Sequence, residues 1–256
     1  MGKKVPKEDI PSLLKIASAA ALEAGKFLDQ NQDVDRRINQ NSSHDLKIEA
    51  DCQSEKIILD FLKKESDFPV LSEEAGYSST PSEGSLVWVV DPIDGSVNFV
   101  RQIPLSCVSI GLWRGDEPVL GVVYDFYRSE LFSGIVSQGA WANGVPIRVS
   151  STASREKAIL FCGFPAATNF SKEGLQSLLE QIQVYQKLRW IGSAAMSLAY
   201  VAAGRGDAYY EREIKWWDIA GAIPIVLGAG GLCQYQKSKD DYGFNVFASN
   251  GHLTSI

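Results

Sequence analysis

The sequence predicts a mixed chain, α+β in its first half and α/β in its second, and three observations predict it. Two apolar stripes at near-helical spacing open the chain, short apolar or β-branched runs bounded by turn residues begin at Phe68, and strand and helix patterns alternate after Ser150. A length of 256 residues accommodates one large domain or two modest subdomains. The change of rhythm places a boundary near Val149, giving an N-terminal α+β subdomain over 1–148 and a C-terminal α/β subdomain over 149–256.

Pro11 can open a helix in which Leu14, Ala17, Ala21 and Leu28 recur on one face, followed by a polar stretch from Gln30 to His44. A second helix is expected over Gln53–Lys64, with Ile57, Ile58, Phe61 and Leu62 inward. Strands follow at Phe68–Leu71, Leu86–Val90, Cys107–Trp113, Pro118–Phe126 and Glu130–Val136, with a loop over Tyr77–Ser85 and a hairpin turn at Gly115-Asp116. Asn143-Gly144 suits a tight turn with positive φ. Beyond Ser150 come strands at Ala158–Gly163 and Lys187–Trp190, flanking a helix near Lys172–Gln183. A helix at Ser193–Ala203, a strand at Ala208–Glu211, a helix from Asp218 and strands near Leu232–Gln236 and Asn245–Ser249 complete the pattern.

Composition narrows the chemistry. Hydrophobic residues at 45% and charged residues at 22% describe a packed globular protein rather than a disordered or fibrous one. No apolar run approaches the roughly 18 residues that span a bilayer, and Met1 to Glu8 lacks the apolar core of a secretion signal, so no membrane partner and a cytoplasmic location are expected. A net charge of -6 disfavours nucleic acid as a partner. An anionic substrate would need bound divalent cations to reverse the field of an acidic cleft. Cys52, Cys107, Cys162 and Cys233 show no metal or disulfide spacing and read as free thiols. With only His44 and His252 present, catalysis falls mainly to carboxylates.

The most informative segment is Leu86 to Ser96, LVWVVDPIDGS, a buried strand running into two acids around a proline. Pro92 disfavours a helical conformation at Asp91, and Gly95 allows close backbone approach to a ligand. Asp91 and Asp94 can then leave the strand end toward one cleft, and hard oxygen ligands at this density suit Mg²⁺. An acidic turn is the plainer account. The Ser96 amide and hydroxyl can hold phosphate if a helix starts at Val97. Glu73 and Glu74 also follow an apolar run, although such a pair is usually a solvated loop. Asp218 and Asp51 each precede a helix, where capping alone would explain them.

In this order the segments resemble the inositol monophosphatase family, within the group that also holds fructose bisphosphatases and bisphosphate nucleotidases. The resemblance rests on WVVDPIDGSVNF at 88–99, GAWANGVPIRVS at 139–150, and GSAAMSLAYVAAGRGDAYYE with the following WWDIAGA. It implies a layered αβαβα sandwich of the sugar phosphatase type and a Mg²⁺-dependent phosphatase holding two or three ions. The implied ligands are Glu73, Asp91, the Ile93 carbonyl, Asp94 and Asp218, most of them in the N-terminal half. Metal-activated water would attack phosphorus directly, positioned or deprotonated by Asp51, Glu73 and Ser96. Asp94, Gly95, Ser96, Gly192, Ser193, Ala194 and Glu211 would contact a small phosphorylated metabolite, with inositol monophosphate foremost, and the family implies a homodimer. Alone, Glu211 reads equally as a surface acid.

Departures from the family pattern are specific. Ile48 replaces a threonine in the Asp45-to-Asp51 segment, Ser96 replaces a common threonine, and Pro224 is expected to kink the helix after Asp218. The chain ends soon after Ala248-Ser249-Asn250-Gly251, where relatives commonly add a helix, which predicts exposed core or a subunit contact there. Arg212 and Lys215 beside Glu211 are either a solvated loop or a site for a second phosphate, as in a fructose-1,6-bisphosphatase or bisphosphate nucleotidase. Histidinol phosphate is another possible substrate. A noncatalytic, metal-dependent binding protein is the rival of a different class.

Overall fold

Asp9 caps the first helix, α1 (Ile10–Gln30), by accepting the Ser12 amide at 3.2 Å, with Pro11 in the first turn, where no amide is missed. The computed structural model describes residues 9–31, 38–41, 46–163 and 171–255. Met1 to Glu8, His44, Asp45 and the side chain of Ile48 therefore lie outside the described residues. Within the expected polar stretch, 38–41 form a strand, β1 (Ile38–Asn41), paired antiparallel with β2 (Leu46–Ile48), which leads into α2 (Glu49–Glu65). That helix begins four residues before the expected Gln53. Its buried face runs from Ala50 through the polar Asp51, Ser54 and Glu55 to Ile58 and Leu62, so hydrophobic periodicity marks mainly its second half.

The first sheet contains β3 (Val70–Ser72), β4 (Gly76–Tyr77), β5 (Leu86–Asp94), β6 (Cys107–Arg114), β7 (Glu117–Asp125), β8 (Glu130–Ile135), β9 (Gly139–Ala142) and β10 (Val145–Pro146), with the short helix α3 (Ser96–Val100) after β5. Its spatial order is β10-β9-β8-β7-β6-β5-β3-β4, antiparallel except where β3 runs parallel to β5. The expected turns are present: Gly115 has φ 58°, and Asn143 and Gly144 have φ 48° and 78°.

The second sheet contains β11 (Ile159–Cys162), β12 (Lys187–Arg189), β13 (Ala208–Lys215), β14 (Leu232–Lys237) and β15 (Gly243–Ser249), in the order β12-β11-β13-β15-β14. Between its strands the chain forms α4 (Lys172–Ile182), α5 (Ala194–Ala202), α6 (Trp216–Ala220) and α7 (Ile223–Gly228). The helix expected from Asp218 thus starts at Trp216 and stops at Ala220. Pro224 does not kink it, because Pro224 occupies the first turn of the separate α7, where an amide is dispensable.

Alternation along the strands builds the layers. Leu86, Trp88 and Val90 of β5, with Val108, Ile110 and Leu112 of β6, face α1 and α2. Val87, Val89 and Trp113 face the other way, toward α5, α6, α7 and the inner side of the second sheet at Tyr209, Phe244 and Val246. Leu160, Ala208 and Phe247 cover the outer side of that sheet together with Ile182 of α4. The result is the expected αβαβα sandwich.

A row of small residues crosses the first sheet where α6 and α7 lie on it. Gly111 pairs with Gly121, Gly121 with Gly134, and Gly134 with Ala140. A β-carbon on Gly111 would lie 2.2 Å from the Ala220 carbonyl oxygen, and one on Gly121 would lie 1.9 Å from that of Gly221. Backbone therefore rests on backbone, and Trp113 Nε1 donates to the Ala220 carbonyl at 2.9 Å. This close approach brings the N-terminal end of α6, and Asp218 with it, over the acidic end of β5.

Candidate metal centre and substrate cavity

Asp91 and Asp94 are three residues apart, a spacing that points side chains to opposite faces of a regular strand. Here β5 does not end at Val90 as expected but continues through both acids with an irregularity. Asp91 pairs with Ser109 and Asp94 with Cys107, so β5 uses three steps where β6 uses two. Both carboxylates consequently share one face. Pro92 gives up no ladder bond at this bulge.

Among the described residues, Asp91, Asp94 and Asp218 bring ligand atoms within 4.8 Å of one another. Asp91 and Asp94 are buried and Asp218 is half-buried. Asp91 Oδ1 accepts the Ile93 amide at 3.0 Å. Asp94 is held from the other sheet's side: its Oδ2 accepts from Ser193 Oγ at 2.7 Å and the Ala195 amide at 2.6 Å, and its Oδ1 from the Ala194 amide at 3.3 Å. Ser193 caps α5, so Asp94 sits at that helix's positive end. Asp218 Oδ2 accepts the Lys215 amide at 3.0 Å. It caps α6 from the helix's third position, not from before the helix as expected.

The acids strain against one another. Burial first, then the charges of Glu73, Asp94, Asp218 and Asp51, push the Asp91 carboxyl well above the ordinary range. Burial lifts Asp94 to about 6, against the opposing hydrogen bonds of Ser193, Ala195, Ala194 and Cys107. Burial and then the charge of Asp94 raise Asp218 well above its usual value. No lysine or arginine among the described residues forms an ion pair with these three. A cluster of hard, buried oxygens lacking a cationic side chain fits divalent cations well.

A pH dependence follows for the metal-free protein. The folded carboxyls hold protons more tightly than the unfolded ones, so the stability they contribute is complete below the ordinary 3.8 and is lost as pH rises through about 6 for Asp94. Thermal unfolding in chelator is expected to occur several degrees higher at pH 5.5 than at 7.5, at about 2–4 °C per kcal/mol for a chain of this size. Saturating Mg²⁺ should shrink or invert that difference. An identical pH dependence with and without Mg²⁺ would rule the cluster out as its source.

The other expected site residues surround this cluster. Glu73 follows β3, its amide donating to the Val90 carbonyl at 3.2 Å, half-buried beside Asp91. Ser96 Oγ donates to the Ile93 carbonyl at 2.9 Å and lies 3.4 Å from Asp51 Oδ1. Asp51 is buried in the first turn of α2, at the third helical position and not ahead of the helix. The helix after Gly95 starts at Ser96, one residue earlier than expected, and Gly95 has φ 90°. A β-carbon there would also lie 2.9 Å from the Leu105 carbonyl oxygen, so both conformation and space require glycine.

A cavity of about 210 Å³ joins the two sides of the site. Asp94, Gly192, Ser193, Ala194, Glu211 and Asp218 all line it. Glu211 is buried, and burial raises its carboxyl to about 7, against the opposing hydrogen bond from Tyr209 and with the charge of Asp94 adding to the rise. Tyr209 donates its hydroxyl to Glu211 Oε2 at 2.7 Å. Glu211 is therefore no surface acid. Lys215 pairs with Asp240 at 2.9 Å, and Arg212 stacks over the Tyr210 ring and donates to its hydroxyl.

Several contributors were not identifiable from spacing. Cys162, Gly163, Ser197 and Ile214 also line the cavity, and a β-carbon on Gly163 would lie 2.1 Å from Glu211 Oε2. Asn98 Nδ2 donates to the Leu105 carbonyl at 2.8 Å and the Ile191 carbonyl at 2.7 Å, tying the segment after α3 to the Gly192 turn. The Asn98 side chain is the one signal sequence offered, since a buried asparagine needs several partners.

An αβαβα sandwich with acids converging beside a small cavity is the fold type of the sugar phosphatases. The chain belongs to the inositol monophosphatase family, whose profile matches residues 9–255. It is 38% identical over 250 residues to a protein named inositol-1-monophosphatase from Synechocystis sp., covering 96% of this chain and 87% of that one. It is also 34% identical over 248 residues to a protein named Nus factor SuhB from Pasteurella multocida, covering 95% and 90%. The solved inositol monophosphatase of Anabaena (Nostoc) sp. PCC 7120 superposes with a TM-score of 0.82 at 32% identity, covering 95% and 92%. The family is metal-dependent and acts on phosphorylated substrates. Among the described residues no helix is long and apolar enough to cross a membrane.

Proposed function

We propose that this chain is a Mg²⁺-dependent phosphomonoesterase that hydrolyses a small polyol or sugar monophosphate, with inositol monophosphate the first candidate. One observation carries the reading: two acids of the cluster, Asp94 and Asp218, line the same cavity as Glu211. Glu211, with Tyr209 on one of its oxygens, offers that cavity an acceptor suited to substrate hydroxyls. Lys215 is engaged by Asp240, which weighs against a second phosphate there.

In this reading Glu73, Asp91, the Ile93 carbonyl, Asp94 and Asp218 hold two or three Mg²⁺ ions. Bound, the ions supply an acidified water and offset charge on the phosphoryl group. The chain's own residues do the rest. Ser96 Oγ, between the Ile93 carbonyl and Asp51, orients the nucleophile, and Asp51 with Glu73 takes its proton. Gly95, Ser96, Gly192, Ser193 and Ala194 shape the phosphate side, although the Ala194 amide and the Ser193 hydroxyl already donate to Asp94. Glu211 has one oxygen engaged by Tyr209 and turns the other to substrate hydroxyls. The halves 1–148 and 149–256 are proposed as subdomains supplying, respectively, most metal ligands and the substrate side. A homodimer, a cytoplasmic location and the absence of a nucleic-acid partner belong to the same reading. The net charge of -6 supports the last of these.

The test is phosphate release with Mg²⁺ from inositol 1-phosphate, fructose 1,6-bisphosphate, adenosine 3′,5′-bisphosphate and histidinol phosphate. Comparable kcat/KM across the panel would remove the polyol assignment, and silence throughout would favour a noncatalytic binding protein. Glu211→Ala is expected to lower kcat/KM on inositol 1-phosphate about tenfold or more relative to p-nitrophenyl phosphate, since only the polyol offers hydroxyls to lose. An unchanged ratio would remove Glu211 from substrate recognition.

A further inference from the structure

Three loops of the site converge on one face of α2, and the contacts fall at helical spacing. Asp51 meets Ser96 Oγ at 3.4 Å. One turn on, Ser54 Oγ donates to the Pro92 carbonyl at 3.0 Å, inside the bulge between Asp91 and Asp94. Beside it, Glu55 Oε1 accepts the amides of Glu74 at 3.2 Å and Ala75 at 3.0 Å, the turn that directly follows Glu73. All three side chains are buried, at 2%, 0% and 7% exposure. Positions i, i+3 and i+4 share a helix face, so a single rigid element holds the Glu73 turn, the β5 bulge and Ser96 in one frame.

Glu55 is a polar side chain on a buried helix face, and its one engaged oxygen is spent on the backbone of the turn after Glu73. A residue serving only the fold could be apolar, as Ile58 and Leu62 are further along the same stripe. We infer that Glu55, seconded by Ser54, is a positioning residue that fixes the distance between Glu73 and the Asp91–Asp94 bulge, and so tunes cation affinity without touching the cation. The inference rests on the metal-dependent reading above. It requires an acceptor oxygen at position 55 and no charge, because amides donate to a neutral amide oxygen as well.

The experiment titrates Mg²⁺ and Mn²⁺ into metal-free protein by calorimetry, with Mg²⁺-dependent phosphate release measured in parallel. Glu55→Ala is expected to weaken cation binding about tenfold or more, the range typical of lost outer-shell partners, while Glu55→Gln stays within about threefold of the parent. Ser54→Ala is expected to weaken it about threefold. Equal weakening in Glu55→Ala and Glu55→Gln would show that charge matters and overturn the inference. So would unchanged binding in Glu55→Ala. If Glu55→Ala does not fold, Ser54→Ala decides: a weaker cation affinity supports the positioning role, and parental affinity overturns it. A parent protein that binds neither cation would instead defeat the metal-dependent reading itself.

Discussion

Replacing Asp91 by asparagine is expected to lower turnover by about a thousandfold or more while raising the stability of the metal-free protein. The two effects have one origin. Asp91 is the acid pressed upon by the most neighbours, with Glu73, Asp94, Asp218 and Asp51 all opposing its ionisation after burial has done so. Asparagine keeps the shape, and its Oδ1 can still accept the Ile93 amide. It never ionises, so it spares the metal-free fold the cost of holding this carboxyl protonated that the unfolded chain does not bear. Phosphate release at saturating Mg²⁺ and thermal unfolding in chelator measure the two halves. A variant that lost activity and metal-free stability together would make Asp91 a structural residue instead.

Gly121→Ala is expected to be the most damaging glycine-to-alanine change among the described residues. Its β-carbon would lie 1.9 Å from the Gly221 carbonyl oxygen, and backbone, unlike a side chain, cannot rotate away. Overpacking of this kind costs roughly 3 kcal/mol or more, and the strain must separate α6 from the sheet or bend the sheet itself. Asp218 rides on α6, so cation affinity should fall with stability. Gly144→Ala, at a turn with φ 78° and open space, is expected to cost about 1 kcal/mol and leave activity unchanged. Denaturant unfolding with cation titration compares them. Gly121→Ala with parental cation affinity would show that α6 reaches its place without the glycine row.

Much of this site was legible before the fold was known, and the remainder was hidden for identifiable reasons. The DPID segment stood out by residue type, although an acidic turn would also explain it, and only the succession of motifs in the family's order turned it into a candidate site. That both acids face one way was not legible, because it depends on an offset between β5 and β6 that no single strand records. Helix starts were displaced at α2 and α6 because each begins with residues that hydrophobic spacing does not register: polar side chains turned inward at Asp51, Ser54 and Glu55, and Trp216 ahead of the capping acid. Pro224 misled because helix pattern runs unbroken across Gly221 in sequence, whereas the chain stops and restarts there. The glycine row escaped entirely, since its members become neighbours only once the hairpins are in register. Glu211 needed the fold to show it buried against Tyr209 rather than in solvent.

The grip on Asp94 joins quantities usually treated apart. The carboxylate belongs to a strand of the first sheet, and the Ser193 hydroxyl and the Ala194 and Ala195 amides that hold it belong to the start of α5, in the layer between the two sheets. A cation held by Asp94, as proposed, would therefore draw on the contact between the first sheet and α5. On that proposal, cation binding and the anchoring of α5 are linked, and a change in one is expected to shift the other.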